Sequence, residues 1–117
     1  MKKLIFFLCS CLSLSISFSQ SYDPSKVNKK ARSLYDRAMT QAEDGKLGQA
    51  STLLNEAIAA DPTYLEAYIS LGGIYADLRN YPASLENFEK AFARDPEYAI
   101  EAKLPYSINL ARQGQFE

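Results

Sequence analysis

Residues 56–64 read Glu-Ala-Ile-Ala-Ala-Asp-Pro-Thr-Tyr, and residues 90–98 read Lys-Ala-Phe-Ala-Arg-Asp-Pro-Glu-Tyr, an offset of 34. Ala57/Ala91, Ala59/Ala93, Asp61/Asp95, Pro62/Pro96 and Tyr64/Tyr98 are identical pairs. Just beyond, Leu65-Glu66-Ala67 lies over Ile100-Glu101-Ala102 at an offset of 35, so a third unit carries one inserted residue. Leu47, Tyr81 and Phe116 continue the series. A period of this length is the signature of a stacked array whose units each bury a face on a neighbour.

Each unit reads as two helices. Pro24 after Asp23 forms a starting pair, and apolar positions recur at Val27, Ala31, Leu34, Tyr35, Ala38, Met39 and Ala42 until Gly45 breaks the run. A second helix is expected from about Leu47 to Ala60, with Ala50, Leu53, Leu54, Ala57 and Ile58 on one face. Asp61-Pro62 is the turn between units, since Asp caps a helix and Pro begins one but cannot continue one. The next pair is expected at Tyr64 to Leu78 and Pro82 to Ala93, linked by Arg79-Asn80, and a last helix at Tyr98 to Arg112 before Gly114. Pro105 should kink or shorten that last helix. No segment alternates with period 2, so the fold class is all-α.

These residues resemble the tetratricopeptide repeat (TPR) family, whose pattern is an aromatic, Leu-Gly, Tyr, then Ala-x3-Phe and a closing Pro. Tyr68-Ile-Ser-Leu71-Gly72-Gly-Ile-Tyr75 fits with Tyr in place of Trp, and Ser84, Phe88, Ala91 and Pro96 complete the unit with Ser in place of the usual Ala. Leu34, Ala38, Ala50, Leu54, Ala57 and Pro62 hold the pattern in the first unit, although Gln41 stands where Tyr75 stands in the second. Ser107, Leu110 and Phe116 carry it into the third. The resemblance implies a helix-turn-helix solenoid of about two and a half units, with residues 26–62 as unit 1, 63–96 as unit 2 and 97–117 as a partial unit 3. Gly72, Ala38 and Ala57 then sit at close helix crossings, and Tyr68, Tyr75, Phe88 and Phe92 fill the space between helices. An apolar side of the third unit's first helix is left uncovered, which leads us to expect a larger protein of which this is the N-terminal region.

In this family the first helices line an inner surface that holds a protein or peptide partner. Carried onto this sequence, the surface comprises Arg32, Tyr35, Met39 and Glu43, then Glu66, Ile69, Gly73 and Asp77, then Glu101, Leu104, Ile108 and Arg112. The occupant is a partner in that groove or a downstream domain of the same chain. The carboxylate-clamping subset has Asn where Met39 and Gly73 stand, so that activity does not carry over. Tyr64, Tyr68, Tyr75, Tyr81 and Tyr98 are read as packing residues rather than a stacking platform. Glu86, Glu89, Asp95 and Glu97 fall on outer faces and turns as solvated charge rather than opposed acid–base groups. Lys26, Lys29, Lys30 and Arg32 form a solvated basic cluster.

Composition narrows the function further. The 117 residues carry 13 Lys plus Arg against 14 Asp plus Glu, no His, no Trp and two cysteines, Cys9 and Cys11. Met1-Lys2-Lys3, the apolar run from Leu4 to Leu8 continuing diluted by serines to Ile16, and Ser17-Phe18-Ser19 form a secretory signal cut before Gln20. Residues 1–19 are therefore expected to be removed, with 20–25 as a linker. The mature chain then has neither Cys nor His, and its net charge falls from −1 to −3 with the loss of Lys2 and Lys3. Zinc sites, thiol chemistry, disulfides and His-assisted nucleophiles lack their atoms. No basic footprint suits nucleic acid, and no cofactor or metal is called for. Leu8-Cys9-Ser10-Cys11 also resembles a lipobox, which would place a lipid on Cys11 and bring the chain to a membrane.

The expectation is thus a non-enzymatic interaction scaffold exported to the periplasm or outer membrane of a Gram-negative cell envelope. The leader, linker and repeats together resemble the start of TPR/β-propeller/OmpA-like envelope proteins, some of which grip peptidoglycan or serve secretion or gliding. Two alternatives stand beside it: a lipid-anchored outer-membrane assembly factor, and the substrate-docking segment of an enzyme whose catalytic domain lies beyond residue 117.

Overall fold

The computed structural model describes residues 21–114, and the leader, Cys9, Cys11 and Phe116 lie outside them. Five α-helices follow in order: α1 (Lys29–Glu43), α2 (Leu47–Ala60), α3 (Leu65–Asp77), α4 (Tyr81–Arg94) and α5 (Lys103–Gly114). Short 3-10 turns occupy Pro24–Lys26 and Tyr98–Ala102, and the described residues contain no strand. α1 packs on α2 and α3 on α4; α2 joins the first pair to the second, and α4 carries α5. The architecture is an all-α helical-hairpin array.

The ends of the helices are set by local chemistry that recurs with the repeat. Asn28 starts α1 by accepting from the Ala31 N–H at 2.7 Å. Gly45 ends it at φ +76°, a conformation that glycine adopts without a Cβ penalty. The Lys46 N–H then reaches the Gln41 carbonyl at 2.8 Å, and the Gly45 N–H reaches that of Ala42 at 3.0 Å. One period later Arg79 takes the left-handed position at φ +61°, and the Asn80 N–H reaches the Tyr75 carbonyl at 2.8 Å. The same two-bond closure therefore ends α1 and α3, once with Gly and once with Arg.

The inter-unit turns also repeat. Oδ1 of Asp61 accepts from the Thr63 N–H at 3.0 Å and the Thr63 hydroxyl at 2.6 Å. Oδ1 of Asp95 accepts from the Glu97 and Tyr98 N–H groups, both at 3.1 Å. The second oxygen of each aspartate takes a backbone N–H from the segment before α1: Asn28 onto Asp61 at 3.0 Å, Tyr22 onto Asp95 at 2.9 Å. Residues 22–28 consequently run across both turns.

Two expectations at helix starts need correction. Asp23-Pro24 starts a 3-10 turn, with Asp23 accepting from the Ser25 N–H at 2.9 Å, while α1 begins five residues later under Asn28. α3 opens at Leu65, one residue from the expected start at Tyr64, with Asp61 closing the preceding turn through Thr63. The last helix is divided: residues 98–102 tighten into a 3-10 turn that absorbs the inserted residue, and α5 starts at Lys103. Pro105 falls in the first turn of α5, where a missing N–H costs no intrahelical bond. Asp95, on its turn as expected and partly exposed, also accepts from three backbone N–H groups.

The core runs along the array. Val27, Ala31, Leu34, Ala38, Ala50, Leu54, Ala57, Tyr64, Ala67, Leu71 and Ile74 form one buried cluster, and Leu65, Ala91 and Ala99 a second. Small residues mark the crossings, as expected. A Cβ on Gly72 would lie 2.6 to 2.7 Å from the ring of Phe88, itself 1% exposed, so α3 and α4 approach to a distance only glycine permits. On α5, Leu104 is 70% exposed, and Ile108 and Leu110 are also exposed.

Candidate functional site

α1 and α3 share one face, on which Arg32 and Tyr35 meet their equivalents one period later, Glu66 and Ile69, and Tyr35 is hydrogen-bonded to Ser70 of α3. Two adjoining cavities open on that face. One, of about 490 Å³, is lined by Pro24, Ser25, Arg32, Tyr35, Asp36, Tyr64 and Glu66. The other, of about 380 Å³, is lined by Tyr35, Glu66, Ile69, Ser70, Tyr98 and Glu101. Tyr35 and Glu66 line both and make a continuous groove across α1, α3 and the 3-10 turn at 98–102.

Glu66 is the centre of the polar network. Its Oε1 accepts from the Tyr98 hydroxyl at 2.6 Å and its Oε2 from the Tyr22 hydroxyl at 2.9 Å. The rings of Tyr22 and Tyr98 meet edge to face at 4.8 Å. Bonding to the carboxylate pushes the Tyr98 phenol up to about 12. Burial, followed by the bond to Glu66, raises the Tyr22 phenol well above the usual range. Tyr35 shares a hydrogen bond with Ser70 at 3.0 Å and packs its ring on Tyr64 at 5.1 Å. Burial pushes the Tyr64 phenol up to about 12.

The charge of the groove is one-sided. Asp36, Glu66 and Glu101 face a single lining cation, Arg32, whose guanidinium is engaged with the Pro24 carbonyl at 3.0 Å. Among the described residues the one ion pair is Lys90–Glu86 at 3.2 Å, on α4 and away from the groove. The three groove carboxylates therefore form no ion pair among the described residues.

Of the residues carried over from the family pattern, the structure brings together Arg32, Tyr35, Glu66, Ile69 and Glu101. Met39 packs half-buried against the core beneath. Glu43 and Asp77 stand at the last residues of α1 and α3, outside both cavities. Leu104, Ile108 and Arg112 are exposed on α5 and do not line the two cavities.

Sequence reasoning missed Asp36, Ser70 and Tyr98 as groove residues, and Tyr22 as a hydrogen-bond partner of Glu66. Tyr98 had a signal, its equivalence to Tyr64, but that reading made it a packing residue. Tyr64 is 4% exposed against Tyr35, whereas Tyr98 is 38% exposed and hydrogen-bonded to Glu66. Tyr22 precedes the repeat and had none.

No helix among the described residues is long and apolar enough to cross a membrane. No group of three metal-ligating side chains occurs among them. The family model of the tetratricopeptide repeat matches residues 31–64 and again 65–98, spans that coincide with the α1–α2 and α3–α4 pairs. No curated protein and no solved structure matches the chain.

Proposed function

Since this chain belongs to the tetratricopeptide repeat family, a fold that serves as a protein–protein interaction scaffold and is typically non-catalytic, we propose that its groove across α1 and α3 is where a partner protein docks. The observation that carries this reading is the convergence of Tyr35, Glu66, Ile69 and Ser70 from two successive units on one continuous cavity. Polar acceptors beside an apolar wall suit an extended segment, whose backbone and side chains need both. A photo-crosslinking residue at Ile69, compared with one at the exposed Thr52 of α2, tests it in cells. Crosslinking from Ile69 to one identified protein, competed by that protein's own segment, is the expected result. Crosslinking from Thr52 alone would sink the reading.

We also infer that the scaffold is exported and works in the cell envelope, on the support of the leader pattern in residues 1–19. The terminal peptides of the native protein from fractionated envelopes test this. A mature terminus at Gln20 agrees with it, and an intact Met1 terminus in the cytoplasmic fraction contradicts it.

A further inference from the structure

We propose that the segment docking in this groove is cationic: an extended stretch of a partner protein bearing Lys or Arg, with Glu66 as the central acceptor. This deepens the groove reading above and rests on it.

The lining selects for such a side chain. A cavity of about 380 Å³ offers two carboxylates, Glu66 and Glu101, between phenol rings, over the apolar side chain of Ile69. That combination matches a long cationic side chain at both ends. An aliphatic stem lies along apolar surface while its charged head seeks a carboxylate and the faces of aromatic rings. A neutral apolar segment would have to bury the two carboxylates unpaired, and an acidic one would add like charge to them.

Glu66 is also prepared for the task. Two phenols hold one oxygen each, fixing the carboxylate without neutralising it. A carboxylate accepts about four hydrogen bonds, so further acceptor positions stay open for an ammonium or a guanidinium fork. Arg32 lines the adjoining cavity together with Glu66, but its guanidinium donates to the Pro24 carbonyl at 3.0 Å and forms no ion pair with Glu66. By contrast, the separate depression lined by Pro62, Tyr68, Lys90, Ala93 and Arg94 carries two cations and no carboxylate. The acidic lining of the groove is thus not shared by that depression.

The test measures binding of the full chain to three labelled peptides of one length and backbone, carrying Lys, Gln or Glu at alternate positions. The Lys peptide is expected to bind about tenfold more tightly than the Gln peptide, the size of one well-placed ion pair. That advantage should shrink as salt rises toward about 1 M. Glu66→Gln should remove most of it, Glu101→Gln part of it, and Glu86→Gln on α4 none. Glu101 is exposed and serves as the readout if replacement of Glu66 disturbs the fold. Equal or tighter binding of the Gln or Glu peptide overturns the cationic assignment and leaves the groove reading standing. So does failure of all three peptides while the Ile69 crosslink forms. Absence of both peptide binding and the Ile69 crosslink overturns the two together.

Discussion

The side-chain amide of Asn109 donates to Oγ of Ser84 at 3.0 Å, and Ser84 donates in turn to the Gly72 carbonyl at 2.6 Å. One buried polar chain thereby ties α5 to α4 and α3. Asn109 is 2% exposed and Ser84 fully buried, so each hydrogen bond is made away from water. The family pattern has Ala where Ser84 stands, and Ile74 occupies the position of Asn109 one unit earlier. The two departures from the pattern explain each other.

Ser84→Ala should therefore cost about 1–3 kcal/mol, because it leaves the Asn109 amide buried without an acceptor. Adding Asn109→Ile should recover a part of that loss by restoring the apolar pair of the preceding unit. Urea denaturation of the two single variants and the double variant closes the cycle. Equal loss in Ser84→Ala with and without Asn109→Ile would show that the pair is not coupled.

The two adjacent glycines of α3 should respond in opposite directions. A methyl group on Gly73 would meet nothing within 4 Å, so Gly73→Ala should stabilise the helix by about 0.5–1 kcal/mol. Gly72→Ala meets the Phe88 ring and should destabilise by about 1–3 kcal/mol through overpacking. Denaturation midpoints of the two variants against the parent chain decide it.

Tyr98 provides a spectroscopic reading of the groove. Its phenol, pushed up to about 12 by Glu66, should ionise late in an ultraviolet alkaline titration. Glu66→Gln should bring it back toward the ordinary value of 10.0. A group with a raised folded pKa stabilises the fold fully below its unfolded value and loses that contribution as pH climbs through the folded one. The Glu66–Tyr98 contribution should thus fade between pH 10.0 and about 12. Tyr98→Phe should abolish that part of the alkaline loss.

At the acid end the turn aspartates act with the opposite sign. The Tyr22 N–H, followed by that of Tyr98, holds Asp95 below the usual carboxylate value of 3.8, and the Thr63 hydroxyl holds Asp61 below it. Groups with lowered pKa values stabilise the fold above the unfolded value and lose that contribution as pH falls through the folded one. Stability should accordingly drop below pH 3.8, and Asp95→Asn should make that drop shallower while lowering stability at neutral pH. Hydrogen exchange at the Tyr22 amide should accelerate in the same variant, since its acceptor is weakened.

The repeat explains why so much of the fold was legible. Leu47–Ala60 was delimited by Gly45 and Asp61, and the ends of α3 and α4 fell within a residue of the expected ones. Helical spacing and punctuation act over a few residues, within reach of a linear reading. Arg79 in a left-handed conformation was not legible, because the usual marker there is glycine and only the two-bond closure after Tyr75 reveals it. The groove was half legible. Arg32, Tyr35, Glu66 and Ile69 follow from the family resemblance carried onto this sequence, whereas the bonds from Tyr22 to Glu66 and to Asp95 join residues 44 and 73 apart and lie outside any repeat. The division of the third unit depended on where one inserted residue was absorbed, which the folded turn at 98–102 settles.

The most direct test of the docking surface is residue-resolved amide chemical-shift mapping of the full chain as the Lys-bearing peptide is added. The largest shifts should fall on Tyr35, Glu66, Ile69, Ser70 and Glu101, with Thr52, Asn55 and Glu86 on α2 and α4 unmoved. Shifts concentrated on α2 and α4, with the groove residues silent, would contradict a docking site in the groove.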